Sequence, residues 1–236
     1  MNGCMERTIN SLVGWRMEAR DGGVGKVEDV YFDDESWTVH YLVLKTDNWL
    51  SGRKVLIAPV ALMEDGCKTG VFRVNLTQDQ IRHSPGIDTD KPVSRQQEIE
   101  LYGHYSWKGY WESGFYAQGV GEIKEVGDGP PGAKGRPAVD LHLRATSYVT
   151  GFHIHGTDGE IGHIVDFLLD DQTWNLLNLI VDTHTMSGGK KVLIGIGHIL
   201  QMQWNDAEIY LDETVTDIEK SAVFEPSAFS GLPSSL

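Results

Sequence analysis

Three histidines in the C-terminal half of the chain come nearest to the spacing of a metal site. If residues 152–156 form a strand, His153 and His155 point to one face and could supply two ligands to an ion such as Zn²⁺. A two-residue turn after this strand would place His163 opposite Ile154, and therefore on the other face. Because two ligands make a weak motif, we predict solvated histidines and no metal; a metal-binding protein using His153 and His155 is an alternative.

Two pairs of adjacent aspartates could act as Ca²⁺ ligands or as a general acid and base. They are Asp33-Asp34 and Asp170-Asp171. Adjacent strand residues point to opposite faces of a sheet, which separates the two carboxylates of each pair, and Asp is common in turns. We therefore predict that both pairs form turns.

The remaining short motifs do not predict a reaction. The stretch GIGHIL at 195–200 begins like a dinucleotide-binding loop, but Leu200 stands where the third glycine belongs and no long helix follows. The sequence NLT at 75–77 matches a glycosylation acceptor, and we interpret it as a chance match. We predict no catalytic residue and no cofactor, and hence a protein that is not an enzyme.

Aromatic residues are concentrated in one short segment. Seven of the chain's 22 Trp, Tyr and Phe residues lie between positions 102 and 116. Such density is typical of the desolvated centre of a contact. Our first interpretation is packing of this segment onto the rest of the chain; contact with a second subunit is the next, and a small-molecule pocket the last. The candidates for protein contact are Tyr102, Tyr105, Trp107, Tyr110 and Trp111.

An internal repeat supplies the elements that carry these residues. A shift of 137 positions aligns residues 14–57 with residues 151–194 without a gap, and 15 of the 44 positions are identical. The same register pairs Arg7 with Arg144. Two copies favour duplication of a small domain over a solenoid, whose units need at least about three neighbours.

Each repeat has the pattern of a mostly β unit. Asp-Gly at 21–22 and at 158–159 predicts a tight hairpin turn, and apolar runs with a period of two follow the aspartate pairs. Trp37 and Trp174 begin these runs, so we predict that both belong to the core.

Two short helices are predicted after the strands of the first repeat. Thr77 and Gln80 have the spacing of a capping box and open the first of them. Ser94 and Gln97 stand in capping positions for the second, which we expect to end near Gly103.

Charge and cysteine content restrict the partners and the compartment. The formal charge is −14, and an acidic surface repels nucleic acid and anionic lipid headgroups. The longest apolar runs are far shorter than the roughly 20 residues that cross a bilayer, and the N-terminus lacks the pattern of a secretion signal. Cys4 and Cys67 are too few for a disulfide framework. We expect a cytoplasmic protein that has no transmembrane segment and does not bind nucleic acid.

The order of motifs in both repeats resembles the PRC-barrel family. Each copy has DGGVG or DGEIG, then DVYFDD or DFLLDD, a tryptophan, YLVLKT or NLIVDT, a glycine turn and KVLI. The similarity is clearest over residues 12–62 and 149–199. This family includes the cytoplasmic domain of the photosynthetic reaction centre H subunit and the C-terminal domain of a ribosome maturation factor. The shared residues are core and turn residues, so they are specific for fold rather than for activity.

The resemblance implies compact β-barrels that assemble with other proteins. The predicted function is a non-enzymatic protein-binding scaffold or adaptor, with an unknown protein partner or a second copy of the chain in a homodimer. A ribosome maturation or RNA-processing accessory factor is an alternative, against which the acidic charge argues. The predicted fold is mainly β, with two tandem PRC-barrel-like domains and short helices. Its parts are a first barrel domain at 1–90, a helical aromatic connector at 91–118, a Gly/Pro-rich linker at 119–140, a second barrel domain at 141–222 and a tail at 223–236.

Overall fold

The fold is mainly β, and the computed structural model describes residues 6–46, 50, 53–63, 70–85, 93, 95–109, 142–183 and 189–229. The N-terminal half, up to residue 109, contributes β1 Glu6–Thr8, β2 Arg16–Ala19, β3 Gly22–Asp33, β4 Val39–Thr46, β5 Lys54–Ile57 and β6 Val71–Arg73. The C-terminal half, from residue 142, contributes β7 Leu143–Ala145, β8 His153–His155, β9 Glu160–Asp170, β10 Leu176–Asp182, β11 Lys191–Gly195, β12 Ile199–Gln203 and β13 Glu208–Leu211. The α-helices are α1 Ile9–Leu12, α2 Gln78–Arg82, α3 Arg95–Tyr105, α4 Thr146–Val149, α5 Val215–Glu219 and α6 Pro226–Phe229, and single 3₁₀ turns lie at Pro59–Ala61 and Ile196–His198.

A long, irregular hairpin forms the centre of each half. β3 pairs antiparallel with β4, and β9 pairs antiparallel with β10, and each register shifts at two points. Valine, leucine and aromatic side chains fill β4, and nearly all of them are buried. Because register shifts bend a strand, each hairpin curls around its own apolar side chains.

The strands form two sheets within the described residues. The first has the order β5-β4-β3-β2-β6, with β7 added alongside β3. The second has the order β11-β10-β9-β8-β13-β12, with β1 added alongside β9. Parallel pairing joins β2 to β6 and β8 to β13, and the other strand pairs are antiparallel.

Each half gives one strand to the sheet of the other half. β1 pairs with β9 and aligns Arg7 with Leu169. β7 pairs with β3 and aligns Arg144 with Phe32. In the 137-residue register these two pairings are reciprocal, as in an isologous interface between two subunits. The two halves are therefore interlocked through their sheets, and we call the boundary between them the seam.

Neither sheet closes into a barrel, which corrects the prediction of two closed barrel domains. Among the described strands, β5 and β6 stay at opposite ends of the first sheet, and β11 and β12 stay at opposite ends of the second. The physical reason is that each half gives one strand to the sheet of the other half. The C-terminal part of β9 receives its edge partner from the other half, so hydrogen bonding is completed across the seam and does not require each half to roll up on itself.

The two halves also share one hydrophobic core. Buried side chains from both halves form a single continuous cluster, and the rings of Phe32 and Phe167 lie 5.9 Å apart across the seam. At its centre, Thr38 Oγ1 donates a hydrogen bond of 2.9 Å to Asn175 Oδ1. Thr38 and Asn175 are equivalent in the 137-residue register, so the local two-fold passes between them.

The short helices follow the predicted signals closely. The capping box at α2 is confirmed: the Thr77 side chain accepts from Gln80 N, and Gln80 Oε1 accepts from Thr77 N at 2.9 Å. α3 ends at Tyr105, just beyond the predicted end at Gly103. It covers β4, where Tyr41 donates a hydrogen bond of 2.7 Å to the fully buried Glu98. Among the described residues, no helix has the length and hydropathy needed to span a bilayer.

One glycine in each half allows two strands to approach closely. A Cβ atom on Gly162 would lie 1.9 Å from the carbonyl oxygen of Asp182, and one on Gly25 would lie 2.1 Å from that of Lys45. Any side chain at these positions would force the hairpin apart.

Candidate functional site

Two ion pairs cross the seam at equivalent positions. Arg7 Nε donates to Asp171 Oδ2, and Arg144 Nε donates to Asp34 Oδ2, each at 2.8 Å. Both arginines lie on the exchanged strands, and both aspartates follow the long strand that receives them. The side chains of Arg7 and Asp171 are 3% and 10% exposed, and those of Arg144 and Asp34 are 22% and 7% exposed. Charge-assisted hydrogen bonds of this kind fix one sheet against the other.

The first aspartate of each pair builds the turn that leads to the seam. Asp33 Oδ1 accepts hydrogen bonds from the backbone amides of Glu35 at 3.1 Å and Ser36 at 2.7 Å. Asp170 accepts the same two bonds in the other half. The predicted turn chemistry is confirmed for these residues, and the second aspartate of each pair is left to hold its arginine.

Each turn ends in a tryptophan with a left-handed backbone. The φ angle is 56° at Trp37 and 60° at Trp174, a conformation uncommon for a bulky residue. Trp37 is buried, as predicted, whereas Trp174 is half-buried with its ring 6.1 Å from that of Phe72. The turn thus carries the Trp174 side chain across the seam onto the other half.

A groove of about 410 Å³ opens along the seam beside Trp37. Its lining comes from the turn after β3, from the residues around the start of β7, and from the stretch that includes β12. These residues are Asp34, Glu35, Trp37, His142, Arg144, Ile196, Ile199, Leu200, Gln201, Met202 and Trp204. We call it the seam groove. Because both halves contribute, it depends on their interlocking.

The charged groups of the seam groove are engaged with one another. Asp34 Oδ1 lies 2.9 Å from His142 Nδ1, while Asp34 Oδ2 accepts from Arg144. His142 Nε2 lies 3.5 Å from Glu35 Oε1, and the Arg144 guanidinium lies 4.0 Å from the centre of the Trp204 ring. A paired polar centre beside apolar side chains is the composition of a contact surface.

The β12 side of the groove is uncharged. Residues 199–203 read ILQMQ and contain no acid or base. Leu200 is 68% exposed, one of the largest exposures of an apolar side chain among the described residues. An exposed leucine in a groove is a candidate contact residue, because covering it gains free energy of roughly 1.5–3 kcal/mol.

The three predicted histidines lie on β8 and β9, two neighbouring inner strands of the second sheet, with one correction to the predicted faces. His163 aligns with His153 and not with Ile154, so it shares the face of His153. The reason is the connection between β8 and β9, which runs from 156 to 159 and is followed by a register shift beside His155. A two-residue turn was therefore the wrong assumption.

His153 and His155 lie beside different carboxylates. His153 Nδ1 lies 3.0 Å from Glu160 Oε1, whereas His155 Nε2 lies 3.6 Å from Glu208 Oε1 and its ring stacks on Tyr210. Within the described part of the chain, no group of three or more His, Cys, Asp or Glu side chains is arranged to hold a metal ion. The alternative of a metal site at His153 and His155 therefore gains no third ligand there.

The aromatic segment packs within the chain as far as it is described. Tyr102 and Tyr105 are buried, and the Tyr102 ring lies 6.3 Å from that of Tyr41 in β4. Trp107 is half-buried and stacks on Tyr105 with ring centres 4.4 Å apart. Tyr110 and Trp111 lie outside the described residues. A contact between this segment and another protein stays a prediction.

Burial also determines the protonation of Tyr105. Desolvation raises the pKa of its hydroxyl to about 12, although the nearby Ser84 hydroxyl and the charge of Arg53 act in the opposite direction. Its hydroxyl therefore remains protonated at neutral pH, which suits a packing residue rather than a proton acceptor.

Sequence reasoning missed a second role for the aspartates of the two Asp-Gly motifs. Asp21 Oδ1 accepts from Gln78 N at 2.7 Å, and Asp158 Oδ1 accepts from Val215 N at 2.8 Å. Each aspartate thus holds the first turn of a helix 57 residues away in sequence. The available signal was that Asp21 and Thr77 both recur at a shift of 137 positions, as Asp158 and Thr214.

Comparison with known families finds one match. Residues 6–81 match the family model of the PRC-barrel domain. This stretch runs from β1 to α2, and it includes Arg7, the turn at Asp33 and Trp37, so part of the seam belongs to the matched domain. No curated protein matches the chain.

Proposed function

We propose that the chain is a non-enzymatic, cytoplasmic protein-binding scaffold or adaptor built on the PRC-barrel domain at residues 6–81, with a second domain of the same kind at 141–222. The 15 identities at a shift of 137 positions support the second domain. The reciprocal pairing of β1 with β9 and of β7 with β3 supports it as well. The two domains would act as one body, because each completes the sheet of the other.

The seam groove is the observation on which the binding function rests. The charged side chains at its centre are paired with one another, Asp34 with both His142 and Arg144. Its remaining lining is mostly apolar, apart from Glu35 and Gln201, and includes the exposed Leu200. A partner that covers this side chain gains hydrophobic free energy without having to desolvate an unpaired charge.

The resemblance to the H-subunit cytoplasmic domain supports a role in assembly. That resemblance implies a domain that serves by contact with other proteins, and the seam groove is the contact surface that we assign to this chain. A scaffold of this type needs a rigid surface, which the shared core supplies.

Affinity capture with a matched pair of variants tests the proposal. The tagged full-length chain is cross-linked in native cell extract, and bound proteins are identified by mass spectrometry. Leu200→Glu places a charge in the seam groove, whereas Met63→Glu makes the same change in charge at the equivalent position of the first repeat, where the side chain is 44% exposed. We expect a partner that Leu200→Glu loses and Met63→Glu retains. The proposal is wrong if no protein is captured, or if both variants behave alike.

A further inference from the structure

β12 is an edge strand with an unusual sequence for its position. Among the described strands it pairs only with β13, so the main-chain groups on its other side face away from the sheet. Exposed edges are commonly blunted by charged residues or proline, but ILQMQ contains neither. Among its own residues this edge therefore carries no charge or proline against pairing with another strand, although its register shifts at Leu200.

The seam groove runs along this edge. Ile199, Leu200, Gln201 and Met202, four consecutive residues, all line it. A groove that lay over one face of a strand would be lined by alternate residues, because neighbouring side chains point to opposite faces. In β12 a register shift at Leu200 interrupts this alternation, so the consecutive run places the groove beside the bulged part of the strand.

Two of the other edge strands that the structure describes, β11 and β6, are better protected. Along β11, Phe224 N donates a hydrogen bond of 2.9 Å to the carbonyl oxygen of Lys191. β6 is three residues long and carries Arg73, whose carbonyl oxygen accepts from Met63 N at 2.8 Å. The β12 edge is thus five residues long, carries no charge and is not paired on its outer side by any described strand.

Acidic side chains flank β12 at both ends. At its C-terminal end, Asp206 lies in the turn to β13 and Glu208 aligns with Gln203. At its N-terminal end, Asp212 Oδ1 lies 2.9 Å from the ring of His198, the residue that precedes the strand. The C-terminal half as a whole, residues 138–236, has 14 acids against four bases. A segment that binds here meets a neutral strand between two negative ends.

The pKa of Tyr210, on β13, is raised by its acidic neighbours. Its hydroxyl donates a hydrogen bond of 2.6 Å to Glu208 Oε2, and this bond raises the pKa of Tyr210. Burial and the charges of Glu208 and Asp206 raise it further.

We propose that β12 is a strand-addition site for an extended segment of a partner protein, apolar at its centre and carrying Lys or Arg at both ends. The segment pairs with the outer edge of β12 and places alternate side chains in the seam groove, so main-chain hydrogen bonds give affinity and the groove gives selectivity. This inference rests on the proposed function, since it uses the same groove. A second copy of the chain fits less well, because antiparallel pairing of β12 with itself would bring acidic ends together in two chains of charge −14.

A defined peptide tests the mode of binding. The probe is a fluorescein-labelled peptide of alternating Val and Thr with a pair of lysines at each end. One control peptide replaces the lysines by glutamates, and another has proline at its centre and cannot complete the strand. Binding to the full-length chain is measured by fluorescence anisotropy at low salt. We expect the lysine peptide to bind at least about tenfold more tightly than either control, with the advantage over the glutamate peptide shrinking at high salt.

Two protein variants locate the site. Leu200→Lys adds a positive charge and a long side chain at the groove, and it is expected to weaken binding of the lysine peptide at least about tenfold. Met63→Lys adds the same charge at the equivalent position of the first repeat and is expected to leave binding unchanged.

The inference is overturned if the lysine peptide fails to bind, if the controls bind equally, or if the two variants behave alike. A concentration-dependent dimer by light scattering that Leu200→Lys abolishes would also overturn it, because a second copy would then be the occupant. If the peptide fails while a captured protein still requires Leu200, the scaffold function stands and only strand addition is wrong. If the peptide binds but no protein is captured, the scaffold function is wrong and the edge remains a peptide site.

Discussion

Arg7 and Asp171 are 164 residues apart in sequence, yet Arg7 Nε donates a hydrogen bond of 2.8 Å to Asp171 Oδ2. The contact joins β1 to the turn after β9, so it lies where the N-terminal half completes the sheet of the C-terminal half. Arg144 and Asp34 repeat it from the other direction. A pair of this kind makes the stability of one half depend on a residue of the other.

We predict that Arg7→Ala destabilises the protein by about 3–5 kcal/mol, because it leaves the nearly buried carboxylate of Asp171 without its cation. Arg144→Ala is the matched control. It should cost only about 1–2 kcal/mol, since Arg144 is more exposed and Asp34 keeps its contact with His142. Chemical denaturation measures both losses.

Hydrogen exchange of the backbone amides identifies the strands that lose stability in Arg7→Ala. In Arg7→Ala the amides of β9 should exchange faster than those of β3, although Arg7 belongs to the N-terminal half. Equal losses in the two variants, or faster exchange confined to the N-terminal sheet, would contradict the assigned role of the seam.

We expect Gly162→Ala to destabilise the protein by about 1–3 kcal/mol or more, because its Cβ atom would collide with the carbonyl oxygen of Asp182 in the paired strand. Gly159→Ala, in the same DGEIG motif, is the control. There a Cβ atom would meet only Val215 Cγ2, at an ordinary 3.6 Å, so the change should stay within about 0.5 kcal/mol. Thermal and denaturant unfolding would distinguish close strand packing from a general intolerance of the motif.

Asp158→Ala should cost about 1 kcal/mol, because it removes the acceptor for the Val215 amide at the start of α5. Asp158→Asn keeps a side-chain oxygen in the same place and is expected to retain most of the stability. Amide exchange of Val215 gives the local readout. If the two variants exchange at equal rates, the carboxylate oxygen is not what holds this helix end.

Local signals in the sequence predicted local structure well. Thr77 and Gln80 are three residues apart, and the capping box they form needs no information from elsewhere in the chain. The turn at Asp33 is equally local, because its oxygen bonds amides two and three residues ahead. Such contacts are decided by the chemistry of a few neighbouring residues.

Closure of the sheets and the seam contacts were not predictable in the same way. An alternating strand can pair with its own repeat or with the other one, and hydrophobic period is the same in both cases. The exchange of β1 and β7 could therefore not be predicted from the sequence, and neither could the partner of Asp34. The recurrence of Arg7 at Arg144 was the one available signal, and it did not name the acceptor.

The position of His163 shows that a wrong loop length changes which side chains share a face of the sheet. A turn of two residues would have put His163 opposite Ile154, whereas the observed connection and register shift put it opposite His153. One residue of register exchanges the two faces of a strand, so predictions of side-chain clusters across a hairpin depend on the turn more than on the strands.

Asp166 makes the stability of the protein depend on pH, and Asp166→Asn should remove this dependence. Burial raises its pKa above the ordinary 3.8, against hydrogen bonds from the amides of Phe167 and Asn10. The folded state therefore holds this proton more tightly than the unfolded chain, so stability from this group is greatest below 3.8 and is lost as pH rises through the raised pKa. An asparagine oxygen can still accept both amides, and it does not ionise. We expect the stability of Asp166→Asn relative to the natural protein to increase as the pH rises from 3.8 through the raised pKa, measured by urea unfolding. Parallel pH profiles for the two proteins would show that the carboxyl group titrates alike in the folded and unfolded states.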